Sequence, residues 1–328
     1  MTSSTSRRTT LRLLSAVTAM AVSTAFSAYA QVGSKPLRII VPLTTGSTVD
    51  TVARAMSVEL AKSMGQPVVI ENLPGAGGVT GTAQLVRAPK DGQTLAMISS
   101  NHAINPSIYK NVPFDSVKDI TPISVFGTVP LVLVVNTSVA AKNTHALVAL
   151  VKASPGKLNY GSAGNGSVLH LAGELFKEQA GAFITHIPYR GTGPLTTDLM
   201  GGQVDMAFLS VTAAAPHIKS GKLRAIGVST RTRTAVLPDV PTLAESGLPG
   251  YSFDAWLAII APGGTPKPIV QDLYQKFRTA LANKDVQSNL QAQGITILEG
   301  TPEQAEPFFV SELAKHAKLV KLSGAVAE

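Results

Sequence analysis

The feature that most constrains this fold is a repeated alternation of an apolar strand, a short glycine-rich loop and a helix. Leu37–Val41 is a mostly apolar run, which is typical of a strand buried on both faces. Apolar residues then recur at helical spacing from Val49 to Leu60, and Gly65 supplies a helix stop. Strands that alternate with helices through short loops favour an α/β fold with parallel strands.

The alternation continues along the chain. Further strands are predicted at Pro67–Ile70, Thr94–Ile98, Leu131–Val135, Leu158–Tyr160, Thr185–Pro188, Asp205–Phe208, Leu223–Val228 and Leu257–Ile260. Further helices are predicted through Leu85 and Val86, at Ala146–Val151, Val168–Gln179 and Leu195–Met200, and from Thr301 onward. The last start is strongly marked, because Thr301 is a typical N-cap, Pro302 suits the first helical position and Gln304 completes a capping box.

Two chain crossings between lobes are predicted, near Leu131–Val135 and near Trp256–Ile260. The helices after the second crossing follow too few strands to form a sheet of their own, so they are expected to pack on the first part of the chain. The prediction is an α/β protein of two lobes that enclose a cleft, each a mainly parallel sheet flanked by helices. Lobe 1 comprises residues 31–132 and 255–328, and lobe 2 comprises residues 133–254.

Residues 1–30 have the pattern of a cleavable secretory signal peptide. Arg7, Arg8 and Arg12 form a basic segment, an apolar stretch runs from Leu13 to Phe26, and Ala28-Tyr29-Ala30 resembles an A-x-A cleavage site. The apolar stretch, about 14 residues long, is too short to span a bilayer of ~30 Å as a helix. The paired arginines also suit the twin-arginine route, so both this route and the Sec route remain open. Either route predicts export.

Composition excludes several classes of function. The 328 residues contain no cysteine, which rules out a disulfide framework, a thiolate metal site and a cysteine nucleophile. Aromatic residues make up 5% of the chain, too few to favour base-stacking platforms for nucleic acid. Three of the 28 basic residues lie in the leader, and the remaining 25 against 20 acidic residues predict no polyanionic partner.

Three loops share one composition and one context, and they form the candidate ligand site. Loop A is Thr44–Thr48, loop B is Ser162–Ser167 and loop C is Arg190–Gly193. Each follows a predicted strand and opens a helix, and in α/β sheets ligands bind where such loops meet. Helix N-termini offer unpaired N–H groups and a partial positive charge, which suit an anion. A tight turn and N-cap would explain any one loop alone, but three alike favour ligand binding.

Several side chains near these loops have two interpretations each. His170 lies one turn into the helix after loop B, where it faces either the ligand or the helix flank. Asp50, in the first turn after loop A, is stabilised by the helix dipole even without a function. Asp205 is a similar candidate at a strand edge. Arg190 either pairs bidentately with a carboxylate or has a structural role beside Tyr189.

Other chemistries have weaker support. The segment Gly75–Gly81 departs from the dinucleotide fingerprint, because Thr80 stands where the third glycine belongs. The sequence contains no P-loop motif and no G-x-S-x-G elbow, and its six histidines show no H-E-x-x-H or i, i+4 spacing for a metal. An exported hydrolase that uses Ser162 or Ser167 with His170 is the remaining enzymatic alternative.

Eight ordered motifs between Pro36 and the C-terminus resemble those of the Bug family, the solute-binding component of tripartite tricarboxylate transporters. They are VPLTTGSTVDTVAR, VVIENLPGAGGVTG, VPFDSVKDITPIS, NYGSAGNGSVLHLAGELF, HIPYRGTGPLTTDLMGGQVD, GKLRAIGVSTRTR, LPDVPTLAESGLPGY and APGGTP. The resemblance implies a monomeric periplasmic binding protein of the type II-like fold, with no enzymatic activity, cofactor or nucleic-acid partner. It implies a receptor that closes around a small carboxylate and delivers it to the membrane subunits of the transporter.

The resemblance also implies the positions that bind the ligand, through backbone amides and ordered waters. They are Leu43, Thr44, Thr45, Gly46, Ser47, Thr48, Asp50, Ser162, Ala163, Gly164, Asn165, Gly166, Ser167, His170, Tyr189, Arg190, Gly191 and Asp205. Ser47 replaces a glycine of the family pattern and Leu43 replaces an aromatic residue, which changes the expected ligand geometry. An aliphatic acid is expected, with an aromatic carboxylate as the alternative ligand. A periplasmic sensor that uses the same cleft is the alternative function.

Overall fold

The computed structural model describes residues 35–325, and the predicted signal peptide lies outside them. The strands are β1 (Leu37–Val41), β2 (Val68–Asn72), β3 (Thr94–Ser99), β4 (Ile120–Asn136), β5 (Asn159–Ser162), β6 (Thr185–Pro188), β7 (Met206–Ser210), β8 (Leu223–Val228), β9 (Asp254–Pro262) and β10 (Thr296–Ile297). The helices are α1 (Thr48–Met64), α2 (Val79–Val86), α3 (Asn101–Ile108), α4 (Thr144–Ala153), α5 (Val168–Ala180), α6 (Thr192–Met200), α7 (Val211–Lys219), α8 (Lys267–Leu281), α9 (Lys284–Ala292) and α10 (Pro302–Ser323).

The strands form one curled sheet with two halves that share β4. The order is β2-β1-β3-β9-β4-β7-β5-β6, with β8 and β10 paired to β4. In the first half β1 is parallel to β2 and β3, and in the second half β5 is parallel to β6 and β7. The pairs made by β4 and β9 are antiparallel. The two-lobed α/β fold is confirmed, and its sheet is mixed because the crossing strands run against their neighbours.

The two predicted crossings correspond to β4 and to the start of β9. The part of β4 up to Pro130 pairs with β9, and the part from Leu131 pairs with β7 and β8. The return crossing is marked by Phe253, whose N–H donates to the carbonyl of Ser229 at 3.0 Å just before β9 begins. The strand β4 extends 11 residues before the predicted start, with a register shift after Pro122. A bulge accommodates proline, which has no N–H for the ladder.

Local sequence signals explain the helices that carry the loops. Ser47 caps α1 by accepting a hydrogen bond from the N–H of Asp50, and Gly65 ends the helix at φ 66°. Ser167 caps α5 in the same way. At the start of α10, Thr301 and Gln304 form the predicted capping box. Side-chain oxygens at these positions satisfy amides that have no partner inside a helix.

Two helices were not predicted, and both border the cleft. These are α3 and α7, and each contains a proline, Pro106 or Pro216, at its sixth residue. A proline is typical of a loop or a helix end, and for this reason neither helix was predicted from the sequence. The fold stabilises α3 by burying Ala103 and Ile104 against its neighbours.

The last helix packs against both halves of the molecule. Phe309 of α10 belongs to an apolar cluster with Trp256 in the first half, whereas Leu319 and Val320 belong to the core of the second half. The indole N–H of Trp256 donates to Oε2 of Glu312 at 2.9 Å. The helix α8 packs on α1, as expected for the late helices, and α10 instead joins the two halves. In the described part of the chain, no helix has the length and apolarity needed to cross a membrane.

Candidate ligand-binding cleft

A cavity of about 720 Å³ lies where the two halves of the sheet meet. Its walls include parts of loops A, B and C, the first residues of α1, α5 and α6, and Ser210 and Ala213 at the start of α7. The volume lies in the range of small-molecule sites. The topology therefore brings the three candidate loops to one place.

The structure divides the predicted site residues into two groups. Those that line the cavity are Leu43, Thr44, Thr45, Gly46, Ser47, Thr48, Ala163, Gly164, Asn165, Gly166, Ser167 and Gly191. Those that do not line it are Asp50, Ser162, His170, Tyr189, Arg190 and Asp205.

Loop A is held by a buried carboxylate behind it. Oδ2 of Asp50 accepts a hydrogen bond from the N–H of Gly46 at 2.9 Å, and Oδ1 accepts from Arg54 and Asn72, each at 3.0 Å. Asn72 also donates to the carbonyl of Leu43 at 3.1 Å. Asp50 thus fixes the loop from the side opposite the cavity.

The same contacts set the charge of Asp50. Burial opposes ionisation, but hydrogen bonds from Arg54, Gly46 and Asn72, with the positive charge of Arg54, outweigh it and lower the pKa of Asp50. Asp50 is 2% exposed, whereas the side chain of Arg54 is 51% exposed. The ion pair therefore neutralises the acid without placing a charge in the cavity.

Loop B is held in a similar way by an imidazole. Nδ1 of His170 accepts a hydrogen bond from the N–H of Gly166 at 3.0 Å, and the N–H of His170 donates to Oγ of Ser167 at 3.2 Å. The loop contains two glycines with positive φ, Gly164 at 123° and Gly166 at 70°. An ideal Cβ on Gly166 would lie 2.5 Å from the Ile108 side chain of α3, so only glycine allows this approach across the cleft.

A stack of three rings supports loop B: Tyr160 and His170 are buried, and His186 is half-buried. The His170 ring lies 3.9 Å from the His186 ring, and His186 lies 4.8 Å from the ring of Tyr160. Burial is the main cause that lowers the pKa of both histidines to about 4. The next cause is the charge of Lys177 for His170, and the neighbouring His170 for His186. Burial and Glu174, which accepts a hydrogen bond from the phenol, raise the pKa of Tyr160. These rings are therefore neutral near pH 7.

The hydroxyl groups of loop B are engaged in structure. Ser162 is fully buried, and its Oγ lies 2.7 Å from Nε2 of His186 and donates to the carbonyl of Gly164 at 3.1 Å. Ser167 Oγ serves as the N-cap of α5. A nucleophile must reach its substrate, and Ser162 is placed behind the cavity wall. This arrangement favours a structural pair over the hydrolase alternative.

Loop C contributes backbone and small side chains. Gly191, Thr192 and Gly193 line the cavity at the start of α6. Tyr189 is directed away, with its hydroxyl donating to Oδ2 of Asp198 at 2.9 Å, and Arg190 is exposed. Burial, then the bond to Asp198, raises the pKa of Tyr189.

Asp205 lies at the opposite end of the strands from the cavity. Its Oδ2 accepts from the N–H of Asn159 at 2.8 Å, and its own N–H donates to Oδ1 of Asn159 at 3.0 Å. Asn159 begins β5, whereas loop B starts at the other end of that strand. Asp205 therefore ties the ends of β5 and β7 together.

Several cavity residues were not predicted. Asn101, Asn105, Ile108 and Tyr109 come from α3 and the residue after it. Ser210 is the N-cap of α7, and Ala213 lies in its first turn. Ser210 offered a signal, because a serine two residues after the predicted strand Asp205–Phe208 is a typical N-cap, and its Oγ accepts from the N–H of Ala213 at 3.2 Å. The residues of α3 gave no such signal, because the helix itself was not predicted from the sequence.

Both polar and apolar residues line the cavity, and the described residues that line it carry no formal charge. The N-termini of α1, α5, α6 and α7 border it, and the first amides of a helix have no partner inside that helix. Each helix end also carries a partial positive charge. Within residues 35–325, no cluster of three histidine, aspartate or glutamate side chains is placed to hold a metal ion. The arrangement can therefore bind an anion through amides and hydroxyls.

Comparisons with known proteins identify the family of this chain. The family model TctC, described as the tripartite tricarboxylate transporter family receptor, matches residues 52–325. BugT of Bordetella pertussis is 38% identical over 294 residues, which cover 89% of this chain and 90% of BugT.

Two solved structures extend the comparison. The periplasmic binding protein BugD is 33% identical, with a TM-score of 0.80 over 90% of this chain and 99% of BugD. Rpa4515 of R. palustris, solved with adipate, is 31% identical, with a TM-score of 0.83 over 90% of this chain and 100% of that protein. The resemblance to Bug proteins is thereby confirmed. The chain belongs to the receptor family of the tripartite tricarboxylate transporters, a family of periplasmic solute-binding proteins rather than enzymes.

Proposed function

We propose that this protein is a periplasmic receptor that binds a small organic acid in the cleft and delivers it to a tripartite tricarboxylate-type membrane transporter. One observation carries the proposal: four helix N-termini border a cavity that has no charged side chain among its described lining residues. Such ends stabilise a carboxylate through N–H groups and dipoles. In this proposal the lining residues of loops A, B and C contact the ligand, and Asp50, Ser162 and His170 support them.

The rest of the cavity wall favours an aliphatic body between polar ends. Ile108, Val129, Leu131, Leu169 and Leu257 are apolar lining residues. Apolar side chains beside methylene groups add roughly 0.8 kcal/mol per buried methylene. A relative of the same fold was solved with adipate, a linear dicarboxylate. We therefore assign an aliphatic mono- or dicarboxylate to this cleft.

The lining also predicts what the cleft rejects. An ammonium group needs an anionic or carbonyl-rich partner, and no carboxylate lines the cavity within residues 35–325. The matched series adipate, hexanoate and 6-aminohexanoate tests this by calorimetry at pH 7. We expect adipate and hexanoate to bind and 6-aminohexanoate to bind at least tenfold more weakly. Binding only by sugars, nucleotides or cations in a wider thermal-shift screen would overturn the carboxylate assignment.

A pair of variants tests whether the ligand binds in this cavity. Ala213 lines the cavity on α7, and Ala149 is exposed on α4. Ala213→Trp fills the cavity and should abolish binding, whereas Ala149→Trp should leave it unchanged. If both variants bind equally well, the ligand lies elsewhere.

The proposal includes a monomer that closes by a hinge at the crossing strands, with lobe 1 at residues 31–132 and 255–328 and lobe 2 at residues 133–254. Closure around a ligand is the usual behaviour of two-lobed binding proteins. Small-angle scattering should show a smaller radius of gyration at saturating adipate, and an unchanged radius would contradict closure. Loss of adipate uptake on deletion of the gene would support delivery to a transporter, and retained uptake would contradict it.

A further inference from the structure

Loops A and B share one local hydrogen-bonding pattern, which was not predicted from the sequence. In each, a glycine precedes a serine N-cap, and the third helical residue turns its side chain back to the glycine. Asp50 accepts from the N–H of Gly46 at 2.9 Å, and His170 accepts from the N–H of Gly166 at 3.0 Å. The segments G-S-T-V-D and G-S-V-L-H are thus equivalent in geometry and differ in the accepting group.

This contact fixes the protonation of His170. A backbone N–H can only donate, so Nδ1 of His170 must have a free lone pair. The proton of the neutral ring is then on Nε2, which lies 3.7 Å from Oε1 of Glu174. An imidazolium would present a second N–H to the N–H of Gly166, and the hydrogen bond would be lost.

The surroundings of His170 favour the neutral ring. His186 of β6 stacks on it at 3.9 Å, and Tyr160 of β5 stacks at 6.3 Å. Glu174 and Lys177, on the same helix as His170, form an ion pair with each other at 2.8 Å. His170 itself is 3% exposed. Burial first, and then Lys177, lowers the pKa of His170 to about 4.

We infer that His170 is a positioning residue for ligand binding: its unprotonated Nδ1 holds the N–H of Gly166 and so fixes the backbone of loop B without touching the ligand. The role rests on the proposed function, in which the backbone of loop B binds a carboxylate. Gly166 and Ser167 both line the cavity, so a shift of Gly166 displaces groups that face the ligand.

Two substitutions at His170 separate positioning from packing. Asn carries Oδ1 the same number of bonds from Cα as Nδ1 of histidine, so His170→Asn keeps a non-titrating acceptor. His170→Leu keeps the bulk and removes the acceptor. With adipate as the probe at pH 7, we expect Kd to rise about tenfold for His170→Leu and to change less than threefold for His170→Asn. The exposed His145 provides the control, and His145→Asn should match the wild type. Equal weakening by both His170 variants, or no weakening by His170→Leu, would overturn the inference.

A second measurement needs no ligand. Nitrogen-15 spectra of the imidazole should show His170 neutral at pH 6 with its proton on Nε2, and the Gly166 amide should exchange faster in His170→Leu than in His170→Asn. A proton on Nδ1, or a Gly166 amide that is the same in both variants, would refute the positioning role. If the spectra agree with the inference and adipate does not bind the wild-type protein, it is the adipate assignment that fails.

Discussion

Loops A and B place the same backbone shape against the cavity but hold it with different chemistry. In loop A the acceptor is Asp50, a carboxylate that also receives hydrogen bonds from Arg54 and Asn72. In loop B the acceptor is His170, a neutral ring within a stack of rings. A carboxylate can accept from several donors at once, whereas an imidazole has one free lone pair. The shape of the glycine–serine turn is therefore the shared requirement, and each half of the protein meets it with its own supporting contacts.

Replacement by asparagine should destabilise the protein more in loop A than in loop B. Asp50→Asn leaves an amide NH₂ facing at least one donor among Gly46, Arg54 and Asn72, and we expect a loss of about 3 kcal/mol in the free energy of unfolding. His170→Asn retains its single acceptor and should cost about 1 kcal/mol, mainly through the smaller side chain. Urea denaturation at pH 7 measures both values. Equal losses in the free energy of unfolding would show that Asp50 and His170 support their loops in the same way.

Acid should weaken the support of loop B before that of loop A. His170 has a pKa lowered to about 4, against about 6.5 in an unfolded chain, so its contribution is complete above pH 6.5 and is lost as the pH falls towards 4. The pKa of Asp50 is lowered from 3.8, so its contribution to stability is lost only as the pH falls below 3.8. As the pH falls from 7 to 5, the lowered pKa of His170 should reduce the free energy of unfolding by about 2 kcal/mol. His170→Asn should remove this part of the pH dependence of unfolding, measured by urea denaturation at several pH values. A slope equal to that of the wild type would contradict the assignment.

Sequence reasoning reached loops A, B and C because each combines a strand, a glycine-containing loop and a helix start, and these signals are local. For His170 the residues left two orientations open and the resemblance implied the ligand side; in the structure its Nδ1 accepts from the N–H of Gly166 and it does not line the cavity. The stack with His186 depends on the parallel pairing of β5 with β6, which no local pattern reveals. Asn101 and Ile108 were missed because Pro106 hides a helix that only long-range packing stabilises.

The two glycines that precede the N-caps should differ in their tolerance of a side chain. Both have positive φ, 80° at Gly46 and 70° at Gly166, so alanine should cost roughly 1 kcal/mol at either position. A Cβ on Gly46 meets nothing within 4 Å, whereas one on Gly166 meets Ile108 at 2.5 Å. We expect Gly166→Ala to cost about 1 kcal/mol more than Gly46→Ala and to weaken adipate binding further. Thermal unfolding of both variants checks the difference, and equal costs would mean that Ile108 moves aside freely.

The N-cap serines provide the smallest contrast. Ser47 and Ser167 each accept from the third helical N–H, at 3.3 and 3.2 Å. Replacement of either by alanine should cost about 1 kcal/mol of stability, whereas Ser47→Gly should cost only a few tenths. A large effect of Ser47→Gly on adipate affinity, with stability unchanged, would show that the hydroxyl contacts the ligand.

The pairing of β4 with β9 also has a consequence for how the chain folds. Pro130 of β4 lies opposite Asp254 of β9, so more than a hundred residues separate these partners in the chain. During synthesis β3 and β4 therefore lack their common neighbour until the chain has reached β9, which ends at Pro262 of the 328 residues. Contacts of such long sequence separation require the closure of large loops and slow folding. The strands that join the two lobes thus make completion of the first sheet a late event, which follows synthesis of the whole segment between β4 and β9.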